Sequence, residues 1–159
     1  MQVHIIAVGK IKERFLQEGI AEYEKRLRPY LRLTIHEIAE ERRPGSASPA
    51  TEAAAMEKEG QRILAALPAG AWVIALDPGG REYPSPGLAA LMREGELSGR
   101  NQLVFIIGGD LGLAPAVRAQ SDLRLSLSQM TFTHPFARLL LMEQLYRACR
   151  INSGEPYHK

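Results

Sequence analysis

The sequence has one cysteine, no long apolar run and no block of like charge. Each absence excludes something. A lone Cys149 cannot build a disulfide framework and fits a reducing compartment. Without about 18 consecutive apolar residues there is no signal for a membrane-spanning helix. The first residues also lack the charged-then-apolar layout of a secretory signal. The expectation is a soluble cytoplasmic protein. A net charge of +2, with no isolated Lys/Arg cluster, permits contact with nucleic acid without arguing for it.

Several chemistries lack their signatures too. There is no G-x-S-x-G elbow, and Cys149 on an apolar helix reads as packing rather than as a nucleophile. His4, His36, His134 and His158 are scattered, with no ligand spacing to Cys149 or to carboxylates, so no metal is expected. Gly108-Gly109-Asp110-Leu111-Gly112 is followed by no Lys-Ser/Thr and is not a P-loop. It is also not G-x-G-x-x-G, which removes a dinucleotide-dependent dehydrogenase.

What is present is an ordinary globular composition, 45% hydrophobic and 24% charged over 159 residues. That length suggests a single domain, 1–159, burying roughly 70% of the unfolded surface. Strand and helix patterns alternate along the chain. Gln2 to Val8 reads as a strand, Lys12 to Leu27 as a helix, and Leu31 to Ile38 as a strand. Glu40 to Pro49 reads as a surface loop, and Ala50 to Leu67 as a second helix. Ala71 to Leu76 and Leu103 to Ile107 are continuous apolar runs, as in strands covered on both faces. Asp77 to Gly80 reads as a turn, Ser85 to Leu97 as a third helix, and Ala114 to Ala119 as a short one. Leu123 to Leu127 is the last strand, and a final helix ends near Arg150. The class is α/β, a mostly parallel sheet flanked by helices. In such sheets ligands bind beyond the carboxyl ends of strands. Three loops leave such ends: Leu76 to Gly80, Gly108 to Gly112, and Leu127 to Pro135. They are the expected walls of one pocket.

The final helix is apolar on nearly every side, with a polar stripe of Glu143, Arg147 and Arg150. A helix of that kind is buried on more than one side, so a partner subunit is expected against it. On that reading Leu140→Arg or Tyr146→Glu yields a monomer. Glu143 and Arg147 are four apart in the orientation that pairs well, which is either a plain surface pair or a pair facing a pocket or interface. The second reading is preferred here. His134, ahead of Pro135, is most simply a capping or loop residue. Tyr157, His158 and Lys159 could stack on and contact an RNA base, although terminal tails are usually inert.

Taken in order, several segments resemble one family. They are Leu76-Asp77, Ile107-Gly108-Gly109 with Gly112, Leu125 to Phe132, His134, Glu143 to Ala148, and Gly154-Glu155-Pro156-Tyr157-His158-Lys159. Together they are similar to the ribosomal RNA large subunit methyltransferase H family, SPOUT-class enzymes that methylate N3 of a pseudouridine in helix 69 of 23S rRNA. The resemblance runs end to end and departs at Thr133, where the family usually has proline. It implies a C-terminal trefoil knot, a homodimer, and 23S rRNA in the assembled 70S ribosome as partner, with no membrane and no metal. It also implies S-adenosyl-L-methionine as cofactor, held by Leu76, Gly108 and the loop Leu127, Ser128, Gln129, Met130, Thr131 and Phe132. The imide N3–H is a poor nucleophile until its proton leaves, so a base or a charge-stabilising donor is needed. Glu143, His134 and His158 are the candidates for proton handling. Arg147 is the candidate for holding phosphate or developing charge, and Tyr157 for stacking on the target base. A SPOUT enzyme acting on tRNA or another rRNA site, and a non-catalytic ribosome-binding factor, are the rival readings.

Overall fold

The computed structural model describes residues 1–159. Five strands form one parallel sheet: β1 (Gln2–Val8), β2 (Arg32–Ile38), β3 (Trp72–Glu82), β4 (Gln102–Ile107) and β5 (Leu123–Ser126), in the order β2-β1-β4-β3-β5. Five helices connect and cover them: α1 (Arg14–Leu27), α2 (Pro49–Ala65), α3 (Ser85–Leu97), α4 (Pro115–Gln120) and α5 (His134–Asn152). The α/β expectation is met, and most element boundaries fall within two residues of the sequence reading.

The layering follows from strand period. In β1, Val3, Ile5 and Ala7 face one side, while Ile6 and Val8 face the other. In β4, Leu103, Phe105 and Ile107 alternate in the same way with Val104 and Ile106. The first set packs under α1, α3 and α5, and the second under α2 and α4. Both faces are therefore covered, as continuous apolar strands require. Local chemistry fixes α2 best: the Ser48 hydroxyl accepts the Thr51 N–H at 3.2 Å, and Pro49 opens the first turn.

Two readings are corrected. Asp77 to Gly80 does not end β3 as a turn. The strand runs on to Glu82, and Leu76 and Arg81 both pair with Leu125, so the four residues between them loop out as a wide bulge. Gly80 permits this, because a Cβ there would lie 2.6 Å from the Arg124 carbonyl carbon. The second correction concerns α5. Its polar positions also include Gln144 and Arg138, and Arg138 is only 3% exposed. Most of its apolar surface is covered within the chain, by α1, α3 and the sheet. Tyr146 is 7% exposed and sits among Tyr23, Tyr30 and Tyr157. Tyr146→Glu would therefore disrupt the fold of one chain before it could report on a partner.

Cys149 lies in the same packed layer, and burial pushes its thiol up to about 11. The thiolate is the reactive form. Iodoacetamide at mildly alkaline pH is therefore expected to leave Cys149 unmodified in the native protein and to alkylate it fully in guanidinium, read by intact mass. Rapid native labelling would contradict this placement.

Candidate functional site

A cleft of about 650 Å³ opens beside the bulge of β3 and beyond the carboxyl ends of β4 and β5. Its walls are the three segments expected from the sequence, the first of them a bulge within β3 rather than a loop at a strand end. Leu76 and the β3 bulge supply one wall and Gly108 to Gly112 another. The third is the loop from β5 into α5.

The glycine loop turns tightly. The Gly112 N–H donates to the Gly109 carbonyl at 3.0 Å, and Gly112 has φ +83°. A Cβ on Gly108 would lie 2.7 Å from the Gly112 backbone, so the two glycines pack main chain on main chain. Arg43, from the loop after β2, grips the Asp110 carboxylate at the outer edge. In the third wall, the buried Ser126 hydroxyl donates to the Ser128 carbonyl at 3.0 Å. The Ser128 hydroxyl accepts the Met130 N–H at 3.0 Å. This serine pair holds the loop in a local turn. Met130 and Phe132 stand exposed on it.

Of the residues expected to hold a cofactor, Leu76, Gly108, Leu127, Ser128, Met130, Thr131 and Phe132 line this cleft, as does His134. Gln129 is exposed and is not part of the lining. No Lys or Arg lines the cleft, whereas Glu13, Asp77 and Asp110 do. Asp77 is itself paired with Arg118 at 3.3 Å and Arg124 at 3.5 Å, both outside the lining.

The other candidates gather elsewhere. Glu143 accepts from Arg147 Nη2 at 2.6 Å, Gln144 Nε2 at 2.7 Å and Tyr157 Oη at 3.2 Å. Gln144 in turn accepts from Ser85 at 2.7 Å, which ties the cluster to the start of α3. The Arg147 guanidinium lies 4.7 Å from the Tyr157 ring centre, and the bond to Glu143 raises its pKa further. The tail is fastened back by Arg150 to Glu155 at 2.7 Å and by the Tyr30 hydroxyl to Glu155 at 2.9 Å. His158 is exposed beyond it. From His134 to Glu143 is roughly 14 Å along α5, and to Arg147 roughly 20 Å, at about 1.5 Å per residue. In one chain the candidate residues thus form two separate groups at the two ends of one helix.

Burial, then Tyr23 and the Glu143 carboxylate, push the Tyr157 phenol up to about 12. A raised phenol pKa contributes stability that is fully present below the ordinary value of 10 and is lost as pH rises through about 12. In an ultraviolet difference titration, Tyr157→Phe is expected to remove a late-ionising phenol. An unchanged late phase would place this side chain outside the cluster.

Two features were missed in the sequence. His4 and His36 face each other on neighbouring strands, ring nitrogens 3.2 Å apart, and burial lowers the His4 pKa. No third His, Cys, Asp or Glu joins them. Arg138 was overlooked among the apolar residues of α5, and only its position opposite His134 on the same helix face could have flagged it.

Comparison with known proteins completes the description. The family profile described as predicted SPOUT methyltransferase matches residues 1–158. A Carboxydothermus hydrogenoformans protein named ribosomal RNA large subunit methyltransferase H is 50% identical over 159 residues, covering all of both chains. A Desulfitobacterium hafniense protein of the same name is also 50% identical, over all of this chain and 99% of its own. A Methanoregula boonei protein, named as a candidate of the same kind, reaches 65% over the full length of both. The chain belongs to the SPOUT methyltransferases and, within them, to the ribosomal RNA large subunit methyltransferase H family.

Proposed function

We propose that this protein is a methyltransferase acting on large-subunit ribosomal RNA, with S-adenosyl-L-methionine held in the cleft beside the β3 bulge and beyond β4 and β5. The observation that carries this reading is the cleft's chemistry. It is in the size range of small-molecule sites, glycine-walled, partly apolar, and without a single Lys or Arg. Such a lining suits a cofactor with a sulfonium cation and disfavours a dinucleotide or nucleotide phosphate. Backbone groups of the loop 127–132 suit an adenine, and Leu76 and Leu127 suit its faces. When bound, S-adenosyl-L-methionine supplies an electrophilic methyl group.

The finer reading is N3 of a pseudouridine in helix 69 of 23S rRNA, reached in the assembled 70S ribosome by a cytoplasmic enzyme of one domain with a C-terminal trefoil knot. It rests on family membership. The roles of the residues follow from their surroundings. Glu143 already accepts from Gln144, Arg147 and Tyr157. A carboxylate so occupied is an anchor, and it orients Arg147 and Tyr157 toward the RNA. Tyr157 remains a neutral donor and stacking ring. Proton handling falls to His134 at the cleft or His158 on the tail.

The two groups of residues are too far apart in one chain to meet at one nucleotide, and this supports a homodimer. Phe15 and Phe136, 60% and 42% exposed with ring centres 6.0 Å apart, form an apolar pair at the start of α1 and α5, and Met130 and Phe132 stand exposed on the loop that leads into α5. Two copies laid with α1 and α5 antiparallel set the start of one α5 against the end of the other.

The test is methyl transfer from labelled S-adenosyl-L-methionine to 70S ribosomes that lack the modification, followed by nucleotide analysis. Label recovered as 3-methylpseudouridine is expected. Cofactor binding without label in 23S rRNA would move the substrate to another RNA, and absence of cofactor binding would overturn the reading.

A further inference from the structure

Arg138 is charged, 3% exposed, and lies on a helix that otherwise packs apolar side chains against the sheet. Burying a guanidinium is costly unless it is paired and hydrogen-bonded. Here Nη1 donates to Glu37 Oε1 at 2.8 Å and Nη2 to the Gly9 carbonyl at 3.0 Å, while Nε is buried without a partner. The side chain thus joins α5 to the carboxyl ends of both β1 and β2.

Gly9 is the centre of this arrangement. Its N–H donates to Ile38 at 2.9 Å, its carbonyl receives Arg138, and its φ of +84° belongs to glycine. A Cβ at Gly9 would lie 3.1 Å from His134 Cε1, so the imidazole packs directly on the glycine. His134 and Arg138 are four residues apart and share one helix face. The start of α5 has no other fastening of this kind, since the Thr133 side chain makes no capping hydrogen bond.

We infer that Arg138 is a positioning residue: by clamping Glu37 and the Gly9 carbonyl it holds the His134 imidazole against Gly9 and so fixes the α5 side of the cleft. The functional part of this inference rests on the methyltransferase reading. The placement part does not.

The experiment uses the full chain with labelled histidine. A proton–proton contact between the His134 ring and the Gly9 α-protons is expected in the wild type, and the chain has only four histidines to assign. Arg138→Met is expected to abolish that contact. Arg138→Lys, which keeps the charge without the fork, is expected to retain it in part. Methyl transfer by Arg138→Met, assayed well below its melting temperature, is expected to fall about 100-fold in kcat/KM, as for a group displaced by about 1 Å. In a His134→Ala background the same change is expected to cost little more, because Arg138 acts through His134. A contact that persists in Arg138→Met overturns the inference. So does a lost contact with unchanged kcat/KM, or a full additional loss in the double variant. A wild type that shows the contact and transfers no methyl group to ribosomes removes the proposed function and the functional role with it, and leaves the placement supported.

Discussion

Gly108→Ala is expected to raise the Kd for S-adenosyl-L-methionine at least about 100-fold, equivalent to about 2.8 kcal/mol. The added Cβ would lie 2.7 Å from the carbonyl carbon and oxygen of Gly112 and 3.1 Å from Leu113 Cδ2. A flexible side chain could swing away from such a contact, but the Gly112 backbone cannot without opening the turn that walls the cleft. Overpacking of this kind costs about 1–3 kcal/mol of stability. A chain of this size then melts about 2–12 °C lower, at about 2–4 °C per kcal/mol. Gly45→Ala is the control, because nothing lies within 4 Å of a Cβ there, and no change in Kd is expected. Calorimetry on both variants decides the matter. Wild-type affinity in a folded Gly108→Ala would remove the glycine loop from the cofactor site.

The second large effect concerns assembly. Phe136→Arg, alone or with Phe15→Arg, is expected to give a monomer by light scattering at micromolar concentration and to lose methyl transfer more than about 100-fold. Within one chain these rings lean on each other and lie outside the buried core, Phe15 mostly and Phe136 partly in water. Replacing them therefore removes little internal packing, and the melting temperature should move by no more than a few degrees. That contrast between intact folding and lost assembly is what Tyr146→Glu could not offer. A dimer that survives the double substitution, or a wild type that is itself monomeric and active, would discard this surface as the interface.

Much of the architecture could be read from residue order because the signals are local. The apolar runs Ala71 to Leu76 and Leu103 to Ile107 announced buried strands, and the rule for carboxyl ends of parallel strands brought three segments to one cleft. The errors are of one kind. Asp77-Pro78-Gly79-Gly80 has the composition of a turn, but pairing with β5 pulls the strand back into register beyond it. Arg138 looked incidental on an apolar helix because its carboxylate partner lies 101 residues away. The tail had a candidate role on RNA, but nothing local showed that Tyr30, 125 residues from Glu155, fastens it. His4 and His36 meet only because β1 and β2 pair in a particular register. Contacts that close over such distances leave no trace in periodicity.

Helix α5 has a further property as a ruler. Its 19 residues carry His134 at one end and Arg147 near the other, and the stretch between them is an unbroken rod. Adding one residue to that stretch would advance everything beyond it by about 1.5 Å and turn it by about 100°. The surface loop between β2 and α2 touches the cleft only at its outer edge, through Arg43 on Asp110. The span from His134 to Arg147 instead sets both the reach and the bearing of the tail relative to the cleft.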